Sequence, residues 1–234
     1  MTAIASAPKA GVVLVHGAFV DGSGWEGVYK ILKKDGYEVS VVQIATATFV
    51  DDVALTTRTI GGHAGSVILV GHSYAGVVIT EAGNNPKVAG LVYVAAFAPD
   101  SGESVATITK DPFPDAPVAP LLPPQDGFLM LDKGKFHESF AADLSRDKAA
   151  FMADSQVPWG LQAVGGTIGK PAWKSKPSWF LIPSGDRMIP PAAQRLMAKR
   201  AGSTVVEVNA SHVVQVSQPE SVATLIKSVA QGIK

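Results

Sequence analysis

The chain has 234 residues, of which 47% are apolar and 17% charged, with 20 basic residues against 20 acidic ones. That length buries a sizeable core in one or two domains, and the composition argues against intrinsic disorder. The balanced charge speaks against a nucleic-acid partner or an anionic membrane surface, and the lack of cysteine removes disulfides, thiol nucleophiles, Cys-ligated zinc and iron–sulfur clusters.

Met1–Ala10 has no basic stretch followed by an apolar one, so no signal peptide is expected. Gly11–Val15 is the first short apolar, β-branched run. Glu38–Val42, Val67–Val70, Gly90–Ala95, Ser178–Pro183 and Thr204–Val208 follow it. Several of these runs are almost continuously apolar, as parallel strands buried on both faces require. Helical stretches lie between them. Trp25, Val28, Ile31 and Leu32 mark one face of a helix. Asp51–Ile60 opens on acidic residues that suit a helix N-terminus, and Ser73–Ala82 is a third helix. The longest apolar run, Ala89–Ala98, has ten residues, whereas a membrane span needs ~20. No membrane partner is expected, and a cytoplasmic location fits.

The rhythm stops between Pro99 and Pro177, where no β-rich run occurs. Pro112, Pro114, Pro117, Pro120, Pro123 and Pro124 punctuate this stretch, while Lys135–Ala142 and Ser145–Ala153 read as helices. A long excursion inside a compact domain is usually functional. Pro190 and Pro191 then open a helix to Arg200, and Val222, Leu225, Ile226 and Val229 form the apolar face of a last one. Alternation of strand and helix predicts an α/β protein. Its six-stranded, mostly parallel sheet carries helices on both faces and is formed by residues 1–98 and 178–234. Residues 99–177 are expected to form an inserted helical cap (a lid) over the carboxyl edge of the sheet.

Gly71-His72-Ser73-Tyr74-Ala75 carries G-x-S-x-G with its last glycine one place late, at Gly76. An apolar strand precedes it and a helix follows. A serine at such a turn is strained, with its hydroxyl exposed at the top of the sheet. A serine hydroxyl is a weak nucleophile and needs a base, which in turn needs an orienting carboxylate. Of five histidines, His16 and His72 are expected to be buried and structural. His63 falls in a polar turn and His137 in the cap. His212 follows the last strand and is the expected base. Asp186 and Asp100 both fit the order Ser…Asp…His. Asp186 is preferred because Gly185 suits a tight turn before it, and its offset from a strand matches that of His212. For the oxyanion, one N–H is expected from Tyr74 and one from Ala18, with Phe19 as the alternative. Phe19, Phe113, Leu121, Leu122, Phe128, Met130, Trp159 and Val213 are the expected substrate-pocket residues.

These stretches resemble the α/β-hydrolase superfamily over nearly the whole chain. Val12–Ala18 and Gly71–Gly76 are general to it. Val94–Asp100 and Ser211–Pro219 are similar to a small branch that includes plant methylesterases and hydroxynitrile lyases. The resemblance implies a Ser73–His212–Asp186 triad without metal or organic cofactor, and it places the acid after the strand that follows the cap. The lyases of that branch carry a lysine where Val213 stands, which disfavours cyanohydrin cleavage. Ser73 at the elbow disfavours dehalogenase chemistry. The expected activity is hydrolysis of small hydrophobic carboxylic esters through an acyl-enzyme, by a monomer or homodimer. A lactonase, a lyase or carbon–carbon hydrolase on the same triad, and a slow-turnover ligand receptor stay open as alternatives.

Overall fold

The computed structural model describes residues 9–111 and 116–233. In chain order the elements are β1 (Gly11–Val15), α1 (Glu26–Lys34), β2 (Val39–Val42), α2 (Phe49–Gly62), β3 (Val67–His72), α3 (Ala75–Ala82), β4 (Val88–Val94) and α4 (Val105–Ile108). Then come β5 (Phe128–Leu129), α5 (Lys133–Phe140), α6 (Arg146–Asp154), β6 (Trp159–Gly160), α7 (Leu161–Val164), β7 (Ser178–Pro183), α8 (Pro191–Arg200), β8 (Thr204–Val208), α9 (Val214–Ser217) and α10 (Pro219–Gly232).

Six strands form one sheet in the order β2-β1-β3-β4-β7-β8, and every neighbouring pair is parallel. All six runs expected from the sequence are present. β3 extends two residues further, to His72, because its carboxyl end pairs with Tyr93 and Val94 of β4. β1 and β3 are fully buried, whereas β8 is exposed along most of its length. β8 is an edge strand, so its apolar run does not imply cover on both faces.

The pleat sends alternate residues to two cores. Val12, Leu14, Ile68, Val70 and Val92 pack with Val28 and Leu32 of α1 and with Val222, Ile226 and Val229 of α10. Val13, Val15, Leu69, Leu91 and Tyr93 pack with Ile60 of α2, Val77 and Val78 of α3, and Met197 of α8. Truncating one such buried aliphatic to alanine costs about 2–5 kcal/mol.

Phe136 and Phe140 of α5 join the second core, together with Leu129, Leu131 and Trp159. The part of the stretch 99–177 from Leu129 to Trp159 is therefore packed onto the sheet's helical layer. It is not purely helical, because β5 and β6 pair antiparallel through Phe128 with Gly160 and Leu129 with Trp159. Two-residue strands are too short to leave a periodic signal. α5 starts at Lys133, capped by Asp132, and α6 starts at Arg146, capped by Ser145.

β1 connects outward to β2, while β3 continues to the other side of the sheet. Chain paths diverge beyond the carboxyl ends of β1 and β3, the switch point at which open α/β sheets bind their ligands. The segments at that point are 16–20 and 73–75.

Candidate active site

Ser73 is not part of a helix, contrary to the expectation from its sequence. α3 starts two residues later, and Ser73 itself adopts φ +55°. Such left-handed geometry costs a non-glycine residue roughly 1–3 kcal/mol. Three backbone hydrogen bonds hold it. The Ser73 N–H donates to the Val94 carbonyl at 3.1 Å, and its carbonyl accepts from Gly76 at 3.0 Å and Phe97 at 3.3 Å.

The displaced glycine of the motif has a steric cause. A Cβ on Gly76 would lie 2.0 Å from the Phe97 carbonyl oxygen, so the closest approach falls at position 76. Gly17 faces the other side of the turn, where a Cβ would sit 2.7 Å from that of Ser73. Its lack of a side chain lets the loop after β1 lie directly against Ser73.

Ser73, His212 and Asp186 stand in a chain of contacts. His212 Nε2 lies 2.9 Å from Ser73 Oγ, and His212 Nδ1 lies 2.9 Å from Asp186 Oδ2. The three residues are 8%, 1% and 3% exposed respectively. Asp186 also accepts from the Met188 and Ile189 N–H groups at 2.8 and 3.0 Å, and from Gln194 Nε2 at 2.7 Å. With His212, four donors converge on this one carboxylate and fix its position. In this arrangement Ser73 can pass its proton to His212 while Asp186 orients and stabilises the imidazolium. Asp100, the rival acid, pairs instead with Lys174.

The other histidines are structural in this geometry. His16 donates from Nδ1 to the Gly17 carbonyl at 2.9 Å and accepts from the Ile44 N–H at 3.1 Å. His72 donates from Nε2 to the carbonyl of His212 at 3.0 Å. Burial pushes the pKa of both below the ordinary histidine value, and for His72 the neighbouring His212 adds to the effect. His63 is buried against Ser40, and His137 reaches the Leu144 carbonyl.

The backbone N–H groups of Ala18, Phe19 and Tyr74 donate to no acceptor among the described residues. Phe19 has φ +65°. Aromatic rings surround the site. Trp159 meets Phe19 edge-on at 5.6 Å and Tyr74 at 5.4 Å, and Phe140 meets the His212 ring at 4.9 Å. Val213 is fully buried.

Leu121, Leu122 and Phe128 are 43%, 44% and 38% exposed. Met130 is half-buried, and none of the four joins the apolar cluster that holds Phe19, Trp159 and Val213. The inward positions of that stretch are Leu129 and Leu131. Alternation along an extended segment decides this, since a shift of one residue reverses every side chain. Phe113 lies outside the described residues. A cleft of about 730 Å3 is lined by His137, Asp143, Arg146, Arg187 and Ser211 among others, but not by Ser73 or the expected pocket residues.

Gln194, Asp143, Asp52 and Phe140 were not apparent from the sequence. Asp143 accepts from the Ser211 N–H at 2.9 Å and from its hydroxyl, which ties the stretch 99–177 to the residue before His212. Burial alone would raise the Asp143 pKa, but the hydrogen bonds from Ser211 outweigh it and hold the carboxyl low. No short motif marks these four residues, because their partners are distant in the chain. Among the described residues no cluster of three or more His, Asp or Glu side chains is arranged to hold a metal ion, and no helix is long and apolar enough to cross a membrane.

A model of the alpha/beta hydrolase family matches residues 12–225. The alpha/beta hydrolase nvfD of Aspergillus novofumigatus is 26% identical, with 95% of this chain and 97% of that protein covered. A pyrethroid hydrolase of Sphingobium wenxiniae is 28% identical, with 94% and 88% covered. Among solved structures, a methylesterase from Arabidopsis superposes with a TM-score of 0.79 at 18% identity, covering 96% of this chain and 100% of that one. At that identity the likeness establishes the fold.

Proposed function

The chain belongs to the alpha/beta hydrolase family, and from that membership and the geometry around Ser73 we propose that it is a serine-dependent hydrolase of small hydrophobic carboxylic esters. The observation that carries the reading is the unbroken contact chain from Ser73 through His212 to Asp186, with both links at 2.9 Å. A pyrethroid hydrolase among the relatives supports ester chemistry.

Ser73 Oγ attacks the ester carbonyl carbon and gives its proton to His212 Nε2. The carbonyl electron pair moves onto oxygen, where the N–H groups of Tyr74 and Ala18 hold it. Removing one such donor typically costs ~3–4 kcal/mol of transition-state stabilisation. The intermediate collapses, the C–O bond to the alcohol breaks, and the alkoxide takes the proton from His212. Water then loses a proton to His212 and attacks the acyl carbon. Release of the acid returns that proton to Ser73. Asp186 keeps the imidazole in the tautomer that both halves need. Residues 99–177 serve as the lid, and Phe19, Trp159 and Phe140 give the acyl group apolar walls.

Release of p-nitrophenol from acyl esters of increasing chain length tests this, with Ser73→Ala beside the unaltered protein. We expect a short-chain optimum and its loss in Ser73→Ala. Equal rates in both proteins, or none in either, would remove the ester reading.

A further inference from the structure

Asp52 lies in the first turn of α2, where an acidic residue ordinarily stays in water. Here it is 1% exposed. Its Oδ2 accepts from the Tyr74 hydroxyl at 2.9 Å, and its Oδ1 accepts from the Thr46 N–H at 3.1 Å. Thr46 has φ +53°, a strained conformation for a β-branched residue. It reaches residues on both sides of Trp159. Its hydroxyl donates to the Pro158 carbonyl at 2.8 Å, and its carbonyl accepts from the Gly160 N–H at 2.8 Å. The Trp159 ring then lies against the Tyr74 ring at 5.4 Å. Asp52, Tyr74, Trp159 and Thr46 thus close a circuit of contacts joining α2, the turn at Ser73, β6 and the loop after β2.

Stability alone does not account for such a circuit. Burying a carboxylate is costly, and apolar residues of similar volume would fill the same space without that cost. Burial pushes the Asp52 carboxyl up to about 6, against the opposing hydrogen bond from Tyr74. Tyr74, fully buried, directly follows Ser73, and its backbone N–H has no acceptor among the described residues.

We propose that Asp52 is a positioning residue which, through the Tyr74 hydroxyl and Thr46, holds the Tyr74 N–H and the Trp159 wall in fixed relation to Ser73. This rests on the ester-hydrolase reading for its kinetic part. The circuit makes no contact with the reacting atoms. It acts by limiting how far the donor and the wall drift as charge develops on the oxyanion, where a small misplacement lowers the rate.

The test uses Tyr74→Phe, Asp52→Asn and the double variant, each beside the unaltered protein. Short p-nitrophenyl esters and their thiono analogues (C=S in place of C=O) are compared. A hole of N–H donors stabilises developing charge on oxygen better than on sulfur, so the oxo-to-thiono ratio of kcat reports donor placement. Each single variant should lose about tenfold in kcat with KM within twofold, and its oxo-to-thiono ratio should fall. The double variant should lose no more than the worse single one, since one circuit is broken either way. Hydrogen exchange of the Gly160 amide, read in the same proteins, should quicken. An unchanged oxo-to-thiono ratio, even with lowered thermal stability, would reduce Asp52 to a structural tie and overturn the proposal. If the unaltered protein hydrolyses no ester, the ester reading fails by itself, and unchanged exchange at Gly160 would then overturn the circuit independently.

Discussion

The Nε2 atom of His72 lies 3.0 Å from the carbonyl oxygen of His212. A carbonyl only accepts, so the ring must donate there, and its Nδ1 is left without a proton and, among the described residues, without a protein partner. The residue before the proposed nucleophile therefore fixes the backbone that carries the proposed base. Burial keeps His72 uncharged in this role. His72→Phe keeps an aromatic ring and removes the donor. It should destabilise the fold by about 1–3 kcal/mol, the usual cost of an unsatisfied buried acceptor. It should also lower kcat more than it raises KM, as read by urea denaturation and p-nitrophenyl acetate kinetics.

Gln194 is fully buried and donates to Asp186 Oδ2 at 2.7 Å and to the Ile189 carbonyl at 2.8 Å. Gln194→Met preserves volume and removes both bonds. A hydrogen bond to a charged group contributes about 1.5–3 kcal/mol, so a stability loss of that size is expected. A fall in kcat should accompany it. Asp186→Asn should be far more severe, on the order of 10^4 in kcat, because the wrong tautomer of His212 would face Ser73. Comparable rates for Asp186→Asn and the unaltered protein would contradict the role given to Asp186.

The glycine pair of the elbow makes a steric prediction. Gly76→Ala must push its new methyl against the carbonyl oxygen of Phe97, a residue whose own N–H donates to the Ser73 carbonyl. We expect at least the 1–3 kcal/mol typical of overpacking, seen as a lowered urea midpoint. Ala75→Gly removes only one methyl at the first residue of α3 and should keep most of the activity. If Gly76→Ala were as stable as the unaltered protein, the close approach at position 76 would not be the reason for glycine there.

Buried titratable groups give stability a pH dependence with two opposing parts. His16 and His72 have pKa values below 6.5 when folded, so below that pH the unfolded chain binds more protons. Their contribution is therefore present above about pH 6.5 and lost as pH falls toward their folded values. Asp21 faces His16, while His212 and His16 face His72. Asp52 acts in the other sense. Its folded value of about 6 lies above the ordinary carboxyl value, so the folded state binds more protons between pH 4 and 6, and stability falls as pH rises through that window. The loss is at most about 3 kcal/mol, from two pKa units at 1.36 kcal/mol each. Asp51 and Tyr74 are the ionisable groups beside it. Urea denaturation across pH 4–8 should show Asp52→Asn gaining stability relative to the unaltered protein as pH rises from 4 to 6. His16→Gln should flatten the decline below pH 6.5.

Asp143→Ala would free the Ser211 N–H and hydroxyl, and with them the tie between residues 99–177 and the His212 loop. KM and kcat should both change, with the loop 209–213 exchanging its amide hydrogens faster. Unchanged exchange would mean that the loop's other ties, from His72, Asp186, Gly185 and Gln218, hold it without Asp143.

Much of this protein is written in local patterns. Six apolar β-branched runs specify six parallel strands: β1 and β3 are apolar along their length because both their faces are buried, whereas the edge strand β8 keeps the β-branched pattern while exposed. Ser73, Asp186 and His212 are legible because each follows a strand in the required order, and strand ends of one parallel sheet converge at one edge. The side chains that surround them are not legible in this way. In the sequence Asp52 reads only as part of an acidic helix start, yet α2 turns it inward to Tyr74. Leu129 and Leu131 face inward and Phe128 and Met130 do not, because the pairing of β5 with β6 sets a phase that a two-residue strand cannot carry in its own sequence. Gln194 and Asp143 meet their partners only after distant segments have packed. Local propensity and periodicity act along the chain, whereas hydrogen-bond partners across it exist only once the sheet and its covering layers have brought them together.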